Sequence, residues 1–537
     1  MIRWHNVSDP ASQHRLRRKF KLTASADRWL LVPAPLSSVL CPPSFVLTPL
    51  LIDTPVRNFY NPAMPEPKQS GRQDGRGMES RPVFVALAVV FVAFAVAFVA
   101  CIPSMTRLVV SPDSVEYLAT ASNLAHGRGF ITGLDKPATT WMPLYSILLA
   151  GSMALVRSMT AAAVLVNLLA VAAIFVLTWL LVRQWRGRVD WFTWFAAGAT
   201  ALSPAVLSRA MFALSEVAFA ALVLLLIYVA TKAETDRRWL WGVAAAGVAV
   251  ALTRHIGILA LVGVAVAWRT KSYWLALLPG AAATGLWIVS IGTGDQLSGF
   301  SIARGLDSVW RSLSGAAAML GGWPMLGFVV VTLLYWRKLR EVPTRTPLAA
   351  LTFLLLTGLG GFFYVAGDLE GRMQLAAHVL LVSCLLAITA AVLANHPFRW
   401  AVYAGFAVLI VSSAAHLWNP HTPPVGGTGF NTPEWRKRKA LALVEKTPAD
   451  VDIYTNAPDG VWFATGRVTY PLPRTDGRSK PKPHADKGGL VIYFKGLNRP
   501  GYVPPEFYNN RVLLDSAGKP MFENTDDALV VHVGRAQ

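Results

Sequence analysis

Residues 79–130 read "ESRPVFVALAVVFVAFAVAFVACIPSMTRLVVSPDSVEYLATASNLAHGRGF". A basic start leads into an apolar run at about 83–103, which delivers the chain into a polar stretch dense in Asp, Glu, Asn, His and Arg. About 20 apolar residues cross a hydrocarbon core, so 83–103 reads as a transmembrane helix. Arg72, Arg76 and Arg81 precede it. They place the N-terminus in the cytoplasm and the polar stretch outside.

The same pattern continues along the 537 residues, of which 54% are hydrophobic and 15% charged. Further apolar runs fall at about 160–182, 191–208, 213–231, 239–253, 256–268, 272–291, 314–336, 347–366, 374–394 and 399–416. The run "PLYSILLAGSMALV" at 143–156 is short and opened by Pro143, and reads as a re-entrant or interfacial helix within a first outer loop at 104–159. With that choice, basic clusters such as "RQWRGR" and "RKLR" all fall inside, as the positive-inside rule requires. The net charge of +20 is therefore a topology signal, and no nucleic-acid partner is expected. The fold class is an all-α polytopic membrane protein of about 11 transmembrane helices, with a small C-terminal extracytoplasmic α/β domain.

Three domains are expected. Residues 1–77 are rich in Pro, Arg and Ser, and their most apolar stretch is broken by Pro. They read as a disordered extension or as sequence upstream of a true start at Met78. Residues 78–416 form the transmembrane core. Residues 417–537 are polar, with "VDIYTN", "GLVIYF", "RVLLD" and "ALVVHV" as short strands. "NTPEWRKRKALALVEK" reads as one amphipathic helix capped by Asn431 or Thr432. Cys101 and Cys384 lie in apolar runs, and the tail has no cysteine to staple it.

Four constellations can carry chemistry, all on the outer face. The first is the helix begun by Pro112, where Asp113, Glu116, Thr120 and Asn123 share one face. It reads as an amphipathic helix lying against the outer membrane surface. Asp113 and Glu116 also have capping-box spacing, so capping stands beside a role as general base or sugar ligand. The second is Ser215-Glu216, where the acid suits either a helix N-terminus or a buried site. The third is Arg254-His255 between two apolar runs, with Arg a natural phosphate ligand or a snorkelling side chain. The fourth is "GDLEGRMQLAAHVLL", with Asp368, Glu370 and Arg372. No repeat, Walker motif, zinc spacing or dinucleotide loop is present.

In this order, "DSVEYLATASNLAHGRGF", "PATTWMPLYSILLAG", "SPAVLSRAMFALSE", "LTRHIGIL", "GRMQLAAHVLL" and "DIYTNAPDGVWFATGR" resemble the GT-C superfamily of membrane glycosyltransferases. The likeness is to bacterial relatives of dolichyl-phosphate-mannose protein mannosyltransferases and of the aminoarabinose transferase that modifies lipid A. It runs from about residue 83 to 470. The resemblance implies a polyprenyl-phosphate-linked sugar donor, an extracytoplasmic acceptor (lipid, envelope polysaccharide or protein), inversion, and a multi-pass protein of the plasma (inner) membrane. It implies Asp113 as the catalytic residue. Glu116, Tyr117, Asn123 and Glu216 become candidates for binding the acceptor or sugar, and Arg254, Arg372, Arg128 and His255 for the donor phosphate. No metal ligands are assigned and no cofactor is named beyond the lipid-linked sugar as donor, with a divalent metal compatible. Protein mannosyltransferases carry Asp and Glu side by side, whereas Ser114 follows Asp113 here, so a protein acceptor fits less well. Two rivals use the same residues without chemistry: a lipid-linked saccharide transporter, and a non-catalytic envelope-assembly protein. Asp113→Asn abolishes transfer only in an enzyme.

Overall fold

The computed structural model describes residues 108–186, 191–291, 345–360, 375–393, 429–472, 489–495, 497, 522–524 and 528–533. All lie within one compact unit, Glu79–Gln537. The expected extension at 1–77, the runs at 83–103, 314–336 and 399–416, the strand "RVLLD" and the loop holding Asp368, Glu370 and Arg372 lie outside the described residues.

The described chain is mostly helical. It opens with α1 (Pro112–Ala125), α2 (Pro143–Val156) and α3 (Met159–Arg186). Next come α4 (Trp191–Ala201), α5 (Pro204–Ala210) and α6 (Glu216–Ala233). The series continues with α7 (Leu240–Thr253), α8 (Gly257–Trp268), α9 (Lys271–Ile291), α10 (Arg345–Gly360) and α11 (Leu375–Leu393). Among the described residues, α3, α6 and α9 are long and apolar enough to cross a membrane. Leu155, Leu286 and Val289 are more than 70% exposed. Large apolar side chains left this exposed are what a lipid-facing surface needs and an aqueous one avoids.

The expected run at 191–208 is two helices rather than one. Pro204 cannot donate to the preceding turn, and Ser203 Oγ instead accepts from Val206 N to cap a new helix. The run at 239–268 also breaks as expected, at an extended Arg254. The turn is tight: a Cβ on Gly257 would lie 2.4 Å from the Val250 carbonyl oxygen. Only glycine lets α8 fold back so closely on α7.

The C-terminal residues contain α12 (Pro433–Arg436), α13 (Lys439–Lys446), β1 (Asp452–Thr455), α14 (Pro458–Thr465), β2 (Tyr470–Pro471), β3 (Gly489–Phe494), β4 (Phe522–Asn524) and β5 (Ala528–Val533). The strands form one sheet in the order β2-β1-β3-β5-β4. β1 runs parallel to β2 and β3, while β5 runs antiparallel to β3 and β4. Thr432 caps α12 as expected, but the single helix anticipated over 433–446 is broken at Arg438. Tertiary anchoring overrides its pattern. Trp435 is buried against Phe430 and Phe494 and donates to the Gly460 carbonyl, while Arg438 lies over the Trp435 and Phe494 rings.

A short extended segment fixes where α1 begins. Val109 N donates to Met211 O at 2.8 Å, just ahead of α6. On its other flank, Phe430 N donates to Val110 O at 2.8 Å and Asn431 Nδ2 to Leu108 O at 3.1 Å. The three residues before α1 are thus clasped between the membrane core and the C-terminal region.

Candidate active site

The clasp delivers Ser111 and Pro112 into the first turn of α1. Ser111 Oγ accepts from Ser114 N at 3.2 Å, so Ser111 is the N-cap. This overturns the capping-box reading of Asp113 and Glu116, which fall at the second and fifth helical positions. The helix ends at Ala125, and Gly127 and Gly129 take positive φ beyond it. Leu118, Ala121, Thr120 and Asn123 of α1 are all buried, because α2 covers one flank and α14 another.

Asp113 is half-buried at the N-terminal end of α1. Its negative charge bears on Glu116, Tyr117 and Arg254. Beneath it lies a dry corner. Arg254 Nη1 stands 3.0 Å from Glu216 Oε1, at 8% and 2% exposure. The same nitrogen donates to Ser215 Oγ at 3.2 Å, and the Ser215 and Tyr117 hydroxyls pair at 3.0 Å. Ser215 is the N-cap residue of α6, yet its side chain makes no capping bond. An N-cap serine ordinarily bonds the helix's own amides; here the hydroxyl serves Tyr117 and Arg254 instead. Glu216 Oε2 is buried without a hydrogen-bond partner.

Tyr117 is held by rings. It stacks on Trp141, with centroids 5.5 Å apart, and meets Tyr145 edge-on at 5.0 Å. Burial pushes its hydroxyl well up. Tyr145 in turn donates to Asn167 Oδ1 at 3.2 Å. Asn167 Nδ2 reaches the carbonyls of Ala210 and Phe212.

Glu116 occupies the next turn. Trp141 Nε1 donates to its Oε2 at 2.8 Å. Burial pushes its carboxyl up, the Thr140 and Trp141 hydrogen bonds oppose this, and the charges of Asp459 and Asp113 add to it. Glu116 opens onto a cleft of about 450 Å³ that Lys136, Asp459 and Trp462 also line. Asn123 faces elsewhere: its Nδ2 donates to the Ile131 and Thr132 carbonyls, 3.0 Å each. It anchors a small hairpin closed by Thr132 N to Lys136 O, and so positions one wall of the cleft.

His255 bonds the Thr140 carbonyl through Nε2 at 3.0 Å. A carbonyl only accepts, so Nε2 carries the hydrogen. Burial pushes the imidazole down, with the Arg254 charge adding to that and the Thr140 bond opposing it. His255 is thus a neutral strut between the helix break and the outer loop. Arg128 is exposed beyond the far end of α1, its backbone N–H donating to the Asn123 carbonyl at 2.8 Å, more than two helical turns from Asp113. Asp113, Tyr117, Glu216 and Arg254 are brought together and Glu116 sits beside them, whereas Arg128 is not brought there. Sequence reasoning missed Ser215 as the hub of the corner, and it missed Lys136, Asp459 and Trp462. Ser215 carried a signal, as an N-cap type beside an acid at an apolar boundary; the cleft residues carried none. Among the described residues, no three His, Cys, Asp or Glu side chains come close enough to hold a metal ion.

The fold is shared with solved structures, among them ArnT from Cupriavidus metallidurans. Its structure bound to undecaprenyl phosphate superposes with a TM-score of 0.53 at 14% identity, covering 84% of this chain and 98% of that one. Its apo structure gives 0.54 at 13%, covering 83% and 98%. The arabinofuranosyltransferase AftD from Mycobacteria overlaps more loosely, at 0.47 and 17% identity over 82% of this chain and 40% of that one. No protein-family model matches the sequence, and no curated protein does.

Proposed function

We propose that this chain is an integral membrane glycosyltransferase. It moves a sugar from a polyprenyl-phosphate donor to an acceptor on the outer face of the plasma (inner) membrane, with inversion. The observation that carries this reading is the setting of Asp113. Ser111 relieves it of capping, and it stands over a buried Arg254 corner. The fold is shared with a protein solved with undecaprenyl phosphate.

Asp113 takes the acceptor hydroxyl's proton as that oxygen attacks the anomeric carbon. The new carbon–oxygen bond forms on the face opposite the phosphate. The old bond to the phosphate oxygen breaks, and the lipid phosphate leaves with the electron pair. Charge then grows on the phosphate and requires cations. Arg254 is balanced by Glu216 at 3.0 Å, so it orients more than it neutralises. Arg372, which lies outside the described residues, is the candidate for meeting the leaving group's charge. Tyr117, fixed on three sides by Ser215, Trp141 and Tyr145, positions the α1 turn that carries Asp113 and Glu116.

The test supplies radiolabelled polyprenyl-phosphate sugars to membranes containing the chain, and follows label into lipid, polysaccharide and protein. Transfer by the parent and none by Asp113→Asn is the expected result. Equal transfer by both, or none by folded parent with several donors, overturns the reading.

A further inference from the structure

We infer that the cleft between α1 and α14 is the acceptor site, and that it takes a neutral or amine-bearing saccharide rather than a phosphorylated one. The inference rests on the transferase reading above and names the substrate class of that site.

The cleft has two walls from distant parts of the chain. Glu116, Gly133 and Lys136 come from the first outer loop, and Asp459 and Trp462 from α14. Its volume of about 450 Å³ falls within the roughly 300–1,000 Å³ of small-ligand pockets. The polar groups suit hydroxyls. Carboxylates accept from sugar O–H groups in charge-assisted bonds, and the lysine ammonium donates to ring or hydroxyl oxygens. Glu116 is preorganised, since Trp141 Nε1 holds its Oε2 at 2.8 Å.

Charge sets the substrate class. Asp459 already acts on Glu116 as a like charge, and Asp113 does so as well. A phosphate placed here meets the Glu116 and Asp459 carboxylates and a single exposed lysine. A hydroxyl or an ammonium meets acceptors. The register fits the chemistry as well. Glu116 lies one helical turn from Asp113, at a spacing of about 5–6 Å between Cβ atoms. A sugar held at Glu116 therefore presents its next hydroxyl towards Asp113.

Gly133 lets the walls meet. A Cβ there would lie 2.8 Å from the Trp462 ring, so any side chain pushes α14 away from the hairpin. Gly133 and Asp459 thus give two independent handles on the cleft, neither in the corner beneath Asp113.

The test is saturation-transfer NMR on the full chain in micelles, without donor. The probes are a methyl hexoside, a methyl aminohexoside and a hexose 6-phosphate. We expect the first two to bind and the phosphate to bind about tenfold or more weakly. Asp459→Asn and Gly133→Val should each lower hexoside binding by about tenfold, while binding of a polyprenyl phosphate stays at the parent level and certifies folding. Preferential phosphate binding, no hexoside binding by the parent, or unchanged binding in both variants overturns the inference. The readout needs no turnover. Saccharide binding without any transfer breaks the transferase reading alone, and transfer without cleft binding breaks this one alone.

Discussion

One helical turn separates two differently built regions of α1. At its N-terminal end, Asp113 overlooks a corner where Tyr117, Ser215, Glu216 and Arg254 are nearly sealed and bonded to one another. At the next turn, Glu116 faces a cleft whose walls carry charge but leave space. The corner spends its polar groups internally, so it can hold a geometry but admits little. The cleft instead sets Glu116, Lys136 and Asp459 around open space.

The contrast can be broken most severely at Asp113. Asp113→Asn should lower transfer by about 10²–10⁴-fold, the usual share of a general base, while thermal unfolding stays within a degree or two of the parent. In the corner, Glu216→Ala leaves Arg254 buried and uncompensated. The expected cost is about 3–5 kcal/mol of stability, seen as a lowered Tm and reduced yield. Glu216→Gln keeps a hydrogen bond to the guanidinium and should cost less. A Glu216→Ala protein as stable as the parent would show that the corner is not a sealed unit.

The cleft responds more gently. Asn123→Ala removes both anchors of the 131–137 hairpin and should cost about 1–3 kcal/mol. Amide exchange should rise in that hairpin while the amides of α6 stay protected. Back in the corner, Ser215→Ala is smaller still, about 1 kcal/mol, and should reduce kcat more than it raises KM because it loosens Tyr117.

The smallest effect is one of pH. Burial holds the Glu116 carboxyl above its ordinary value of 4.5, so the folded protein binds that proton more tightly than the unfolded chain. This group's contribution to stability therefore falls as pH rises from about 4.5 through its raised value. Glu116→Gln should flatten that part of the stability profile, as followed by denaturant unfolding. An unchanged slope would mean that Glu116 is solvated like a surface acid.

Much of the helical layout was legible because ionisable and helix-breaking residues interrupt apolar runs. Glu216, Arg254 and Lys271 mark boundaries of that kind, and burying a charge in hydrocarbon is costly enough to make them stand out. Pro112 and Thr432 were legible as helix starts for a local reason, the φ of proline and the oxygen of a capping residue. What stayed hidden was long-range. Ser111 and Asp113 compete for one local pattern, and only the coordinates show which of them caps. The Glu216–Arg254 bond joins two helices whose facing no periodicity reports, since both are apolar all round. Asp459 and Trp462 sit in an ordinary helix of a polar region, and only folding brings them to Glu116. The break at Arg438 was hidden likewise, because the pull comes from Phe494 and Gly460 rather than from neighbours in sequence.

The clasp around residues 108–110 has a consequence for the birth of the molecule. The bond from Asn431 to the Leu108 carbonyl joins residues 323 positions apart. At about 5–20 residues per second, the ribosome adds that interval in roughly 16–65 s. During that time the helix bearing Asp113 has its membrane-side support but lacks its second flank. The later-made region around Asn431 is what seats it, so α1 gains its second flank only after that residue has been added.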